Sequence, residues 1–295
     1  MKRRRAFTNN LSAKIASLPM AATAIGVFVV CVLYSFVLSL TRSRTFPNFN
    51  IVGFEQYVRL WSTDRWNVSV YNLVIFGVLF IVSCLLIGYL LAVLIDQNIR
   101  AEDTFRTIFL YPFALSFVVT GLVWQWMMDP SLGIQNEVRK LGWESFTFAP
   151  LIDQTWAIYG VVIAAVWQSA GLIVVLMLAG LRGIDDEIWK ATRVDGIPTW
   201  RTYIFIVLPM IRPVIVTAVV LLGVSVVRVY DLVVAQTGGG PGNATEVPGK
   251  FVVDHFTTRM NVSIAMAAAT MMVLPVLLFV GPWVWNEYVR RGGSR

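Results

Sequence analysis

Residues 181–213 read LRGIDDEIWKATRVDGIPTWRTYIFIVLPMIRP, a polar and charged insert between two apolar runs. Either Asp185 or Asp186 can cap a helix N-terminus. Asp185, Asp186 and Glu187 stand where a helix dipole favours negative charge. Lys190 and Arg193 stand towards the end where it favours positive charge. Gly196 stops that helix, because glycine accepts the left-handed conformation of a C-cap. Pro198 opens a second helix at its first turn, and this one runs into apolar sequence past Pro209. Ala191 leaves one face of the short helix shallow enough for a partner to approach closely. The stretch reads either as a docking peg or as an ordinary loop helix.

The same residues resemble the EAA loop in the transmembrane permease subunits of bacterial binding-protein-dependent ABC importers. Ala191, Asp195, Gly196, Ile206, Leu208 and Pro209 fall at the spacing of that pattern, while Lys190 replaces its first Glu and Thr192 its second Ala. The resemblance implies an all-α integral membrane protein of the type I ABC importer permease fold, with six transmembrane helices and a cytoplasmic coupling helix. It also implies that Glu187, Lys190, Ala191, Thr192, Asp195 and Gly196 meet a separate ATPase dimer. The family's Glu takes part in that fit, and Lys190 reverses its charge. ATP and Mg would sit on the partner. This chain would hold no cofactor, no metal and no catalytic residue.

Composition by itself indicates a membrane protein. Of 295 residues, 57% are hydrophobic and 14% charged, against about 25% charged in soluble domains. Cys31 and Cys84 lie in apolar runs and read as small core residues rather than a disulfide. A single histidine, His255, argues against a His-based metal cluster or catalytic pair. A span needs about 20 apolar residues. Six qualify: 16–40, 70–95, 108–128, 156–180, 204–227 and 263–285. The first follows Lys2, Arg3, Arg4 and Arg5, but it is too long for the apolar core of a signal peptide and lacks a small-residue cleavage site. Backbone groups in lipid must bond internally, so each span is expected to be one helix. The domain plan is a tail at 1–15, one six-span domain at 16–285 with the coupling loop at 181–203, and a tail at 286–295.

Lys and Arg set the orientation. Fifteen fall on the side of the termini and of residues 181–203, eight fall on the other, and Arg228 is left at the end of the fifth span. The positive-inside rule places both termini and the coupling loop in the cytoplasm. The resemblance implies the bacterial inner (plasma) membrane, in multi-pass form. The net charge of +7 follows topology and forms no nucleic-acid stripe.

The outer loops carry further signals. Residues 41–69 hold Phe46, Phe49, Phe54, Tyr57, Trp61 and Trp66. This is either a loop lying on the membrane or a surface that meets an external partner. The loop at 231–261 contains Thr237, Gly238, Gly239, Gly240, Pro241 and Gly242, which cannot stay helical. Gly249-Lys250 is no phosphate loop, since the spacing fails and Phe251 stands where Ser or Thr is required. Thr237, Gly239, Gly240 and Pro241 resemble a pattern of the sugar-importer branch of the family, in the subunit like the larger maltose permease. The resemblance implies a loop facing a periplasmic or extracellular sugar-binding protein. The wording around residues 187–198 resembles glucose/mannose-type permeases.

Polar groups inside apolar spans are costly and face a cavity or a partner. Gln168 beside Trp167 is a pairing that suits a sugar, with Trp124, Gln125 and Trp126 as a second set that also fits an interfacial belt. Ser225, Arg228 and Asp231 share a helix face by i, i+3 spacing. Arg228 either donates to solute hydroxyls or is held by Asp231 or the headgroups. Alignment on the coupling loop places Ser225 and Arg228 in the part of span five that lines the sugar site of the maltose-type relative. The expected protein is half of the path of an ATP-driven sugar importer. Its partners are a second permease subunit (a heterodimer), the ATPase pair, the binding protein, the sugar and membrane lipid, with no nucleic acid. A secondary ion-coupled carrier would show inverted repeats and intramembrane Asp or Glu, and the spans have neither. A membrane enzyme or assembly protein is the reading from another class, and one histidine with no reactive thiol argues against it.

Overall fold

The computed structural model describes residues 15–20, 22–97 and 102–275. Expectations placed on the basic N-terminal run, Arg100, the end of the sixth span and the C-terminal tail lie outside these residues. Among the described residues the chain is helical, with one isolated antiparallel bridge between Thr41 and Ile51. Two compact units are distinguished. One takes the chain up to Asp64 and from Phe251 onward, and the other takes Arg65–Lys250.

The first unit contains α1 (Ile15–Ser39) and the short α2 (Glu55–Trp61). Almost every described side chain of α1 is exposed, including Cys31, which is therefore not the core residue its sequence context suggests. A helix that is apolar all round and exposed has lipid as its solvent. The second unit takes up α3 (Asp64–Ile95), α4 (Glu102–Leu110), α5 (Phe117–Met127), α6 (Ile134–Lys140) and α7 (Ala157–Arg182). There follow α8 (Asp186–Val194), α9 (Thr199–Met210), α10 (Arg212–Val227), α11 (Tyr230–Gln236) and α12 (Pro248–Val253). The last described helix, α13 (Val262–Pro275), returns to the first unit and begins the expected sixth span.

The centre of the second unit is α7, with 72% of its apolar window buried against 28% for α3. Small residues let neighbours approach its backbone. At Gly171 an added Cβ would lie 1.8 Å from the Phe109 carbonyl oxygen. On α5, a Cβ at Gly121 would lie 2.7 Å from Cβ of Ala235 on α11. The first contact is with backbone, which cannot rotate away. Gly171→Ala is therefore expected to lower the thermal stability of the purified subunit by on the order of 1–3 kcal/mol or more. An unchanged melting curve would refute this packing.

Two expected spans are bent. The third turns by 101° between α4, extended by a 3-10 turn at Tyr111–Ala114, and α5. Leu115 and Ser116 are extended there, with ψ of 151° and 153°. Ser116 caps α5 by accepting from the Val119 N–H, and the freed Leu115 carbonyl accepts from Gln168 Nε2 at 2.7 Å. That second bond lets the chain leave the helical ladder inside an apolar environment. The fifth span turns by 72° at Ile211, between α9 and α10. Pro209 and Pro213 each remove an N–H, and the ring of Pro213 opposes the carbonyl four residues back, at Pro209.

Candidate coupling and solute-path site

The insert at 181–213 folds as its punctuation indicates. Asp185 is the N-cap of α8, its Oδ1 accepting from the Glu187 N–H at 3.1 Å. At the other end Gly196 has φ +66°, the Gly196 N–H bonds to Arg193 O, and the Ile197 N–H bonds to Thr192 O at 3.0 Å. This 6→1 and 5→2 pair is a complete Schellman stop. Pro198 is the N-cap of α9, one position earlier than expected, and the N–H groups of Arg201 and Thr202 bond to its carbonyl.

Capped at both ends, α8 turns Ile188, Trp189 and Thr192 inward. Ile184 and Trp189 pack on the hydrophobic core. Thr192 is 7% exposed and donates from Oγ1 to Trp189 O, so it supports the helix from behind and does not belong to a presented face. Glu187, Lys190, Ala191 and Val194 are exposed at i, i+3, i+4 and i+7, which is one stripe. Val194, 87% exposed, is the apolar centre that the family spacing did not single out. Asp195 and Gly196 end the stripe, both exposed. Trp200 follows with the Arg201 guanidinium over its ring at 5.1 Å.

Behind this stripe lies a polar cluster that no local sequence signal marks. Arg182, ending α7, bonds to Glu102 of α4 at 2.8 Å and approaches Asp96, just past α3, at 3.8 Å. Tyr203 of α9 donates to Asp96 Oδ2 at 3.2 Å, Tyr89 of α3 donates to Tyr203 O at 2.8 Å, and the Tyr203 ring meets Trp189 at 5.2 Å. Partly exposed ion pairs add little stability. What these contacts do is tie α8 to the ends of four other helices, so that displacement of one is felt by the others.

The expected solute-path residues are not brought together. Trp167 is half-exposed, and its ring meets Trp124 edge-on at 5.9 Å. Gln168 is 4% exposed and spends its amide nitrogen on the Leu115 carbonyl. Neighbours on a helix diverge by about 100°, so this Trp and this amide cannot grip one ligand. Trp124 is buried in the core and not part of an interfacial belt, whereas Trp126 is exposed. Ser225 Oγ donates to Leu221 O. Arg228 is the C-cap of α10 and α11 begins only at Tyr230, so the shared face of Ser225, Arg228 and Asp231 is broken. Arg228 and Asp231 are both exposed and, among the described residues, form no ion pair with each other.

The glycine-rich loop is a built object. Thr237 Oγ1 and Thr245 Oγ1 lie 2.7 Å apart, and Thr245 Oγ1 donates to Gly240 O at 2.9 Å across a cis Gly240–Pro241 bond. Gly239, with φ +91°, admits the Lys250 stem where a Cβ would lie 2.7 Å from it. Beneath the loop Glu246, its side chain 2% exposed, accepts at Oε2 from Arg65 Nε of α3 at 2.6 Å, and a second guanidinium nitrogen makes an ion pair with Oε1. Asn72 Nδ2 donates to the carbonyls of Asn243 and Glu246 at 3.2 and 3.0 Å. Beside the loop, Gln125, Asp129, Gln236, Thr237, Gly240 and Pro241 line an open pocket of about 400 Å³. Asp129 there accepts from the Ser131 hydroxyl and from the N–H groups of Ser131 and Leu132, which hold its carboxyl below the usual carboxylate range.

Apolar helices long enough to cross a bilayer, two of them as bent pairs, with a capped polar helix presented between α7 and α9, fit a transport permease of the type I ABC-importer fold. The chain belongs to the family described as binding-protein-dependent transport system inner membrane component, which it matches over residues 84–284. It is a permease and not an enzyme. A probable ABC transporter permease protein of Pyrococcus horikoshii is 35% identical over 271 residues, 91% of this chain and 93% of that protein. The xylose/arabinose import permease of Haloferax volcanii is 32% identical over 88% of this chain and 82% of its own length. Among solved structures, a bacterial ABC transporter involved in the import of the acidic polysaccharide alginate aligns over the full length of both chains. Its TM-score is 0.80 at 18% identity, which shows a shared fold.

Proposed function

We propose that this chain is one of two membrane-spanning subunits of an ATP-driven sugar importer, and that the stripe Glu187, Lys190, Ala191 and Val194 docks in a cleft of a separate ATPase subunit. The observation that carries the docking is the exposed one-sided face of α8, closed at both ends and tied through Arg182 and Tyr203 to α3, α4, α7 and α9. Closure of an ATP-bound ATPase pair draws α8 inward and turns the cavity outward to a loaded binding protein, and hydrolysis returns it. Such a shift requires the ATPase to bind the two states with different affinity. ATP and Mg belong to that partner, and both termini lie in the cytoplasm. The sugar assignment rests on relatives named for xylose/arabinose and for trehalose/maltose, the latter from Thermococcus litoralis and 29% identical over 77% of this chain. Uptake of labelled xylose, trehalose, maltose and glucose by vesicles holding the whole complex tests it. Uptake of none of them, with the complex intact, removes the sugar reading.

Arg228, with Ser225 on the preceding turn, is the proposed solute contact at the outer end of α10. A charged hydrogen bond to a buried solute group contributes about 1.5–3 kcal/mol. Arg228→Ala should therefore lower transport at least about tenfold, with assembly and basal ATP hydrolysis preserved. Transport within about threefold of the parent would mean an exposed charge worth no more than about 1 kcal/mol, and Arg228 would leave the site.

A further inference from the structure

The segment between α1 and α3 presents exposed apolar side chains on a folded scaffold in the first unit. Its own hydrogen bonds fix it. Ser39 Oγ and Tyr57 Oη lie 2.6 Å apart, Gln56 Nε2 donates to Thr41 O, and Thr41 bridges Ile51. The Ser43 N–H donates to Ser263 Oγ at 2.6 Å, and the Ser43 hydroxyl bonds both to Asn48 O and to the Asn48 N–H. Within α2, Gln56, Tyr57 and Leu60 face this scaffold and are buried. The opposite face is also apolar. Phe54 and Val58, four residues apart, are 68% and 70% exposed, and a groove of about 480 Å³ runs along them. Phe46, Phe49 and Ile51 on the preceding arm are equally bare. Arg42 and Arg59 flank the face, each bonded to Glu55.

The flanking chain says what covers this face. The segment follows the last residue of the apolar α1, and Val58 lies six residues before α3 begins. At about 3.3–3.6 Å per residue even an extended chain cannot carry Val58 much more than about 20 Å from that helix. A rigid apolar face held that close to two membrane helices meets the headgroup and upper acyl layer. There aromatic rings, and arginines with long apolar stems, are stable.

We infer that the face formed by Phe46, Phe49, Ile51, Phe54 and Val58 is seated in the outer leaflet as an interfacial lipid anchor, with Arg42 and Arg59 at the level of the lipid phosphates. The anchor fixes the height of the loop that joins the first two spans.

Nitroxide labels test this. They are placed singly at Phe49, Phe54 and Val58 in a chain carrying Cys31→Ala and Cys84→Ala, assembled with its partner subunits in lipid nanodiscs. Lipid seating predicts that oxygen quenches each label more strongly than a water-soluble nickel chelate, with no change when loaded binding protein is added. Stronger quenching by the chelate overturns the proposal. Chelate access that disappears only on adding binding protein assigns the face to that protein and also overturns it. Protection from both reagents in the nanodisc assigns the face to the second permease subunit, and lipid seating is again overturned. Phe49 lies on a different arm from α2, so one label that disturbs the helix leaves the other to decide.

Discussion

Gly196→Pro is expected to leave the subunit inserted in the membrane and, if α8 docks on a separate ATPase as proposed, to abolish its stimulation by loaded binding protein. Gly196 has φ +66°, and proline is held near −65°. The Gly196 N–H that bonds to Arg193 O disappears, and with it half of the Schellman stop. Asp195 sits in the helical region at φ −74°, ψ −2°, which a following proline disfavours. Three costs of about 1 kcal/mol or more each fall on one turn. The next bond, from the Ile197 N–H to Thr192 O, is lost with them. No atom lies within 4 Å of an added Cβ, so the effect is conformational and not steric. Gly196→Ala keeps the N–H and should cost only about 1–2 kcal/mol, with much of the stimulation retained. Full stimulation in the proline variant would sink the docking role of α8.

Glu246→Ala is expected to destabilise the second unit by about 3–5 kcal/mol, because it removes one partner of a buried ion pair. The guanidinium of Arg65 loses its carboxylate partner, and the glycine-rich loop loses the tie from Glu246 to α3. Exchanging both members for leucine should restore a large part of that loss, since a well-packed apolar pair of similar volume is often neutral. Thermal unfolding of the purified complex reads both values. If the loop faces the binding protein as proposed, the single variant also raises the concentration of loaded binding protein needed for half-maximal stimulation. A single variant as stable as the parent would show that the pair does not hold the loop.

Much of this protein is legible in the sequence because its signals are local. A run such as 157–182 has no charge before Arg182, and only a helix satisfies its backbone in lipid. The caps of α8 are equally local, because Asp185 and Gly196 act on bonds within their own turn. The bends were partly legible. Pro112 and Ser116 inside the third span are a stop and a start signal, and Pro209 with Pro213 marks the fifth, but length and hydropathy alone draw straight helices through both. At Gln168 the structure shows a use of the amide that the sequence does not signal. A buried amide goes to whatever carbonyl has lost its partner, and that carbonyl, Leu115, lies 53 residues away.

Neighbours within a few residues, together with the ban on unpaired backbone in lipid, are enough to set the class, the apolar spans and α8 with its two caps. Which side chains are left exposed and which are spent on holding the fold depends on packing between distant segments. Thr192 is buried as a support and Val194 is exposed, because helix rotation about the core is fixed by what Ile184 and Trp189 pack against. Arg182 with Glu102, and Arg65 with Glu246, are pairs 80 and 181 residues apart. Attraction between charges depends on distance in space, and that distance does not exist until the chain has folded.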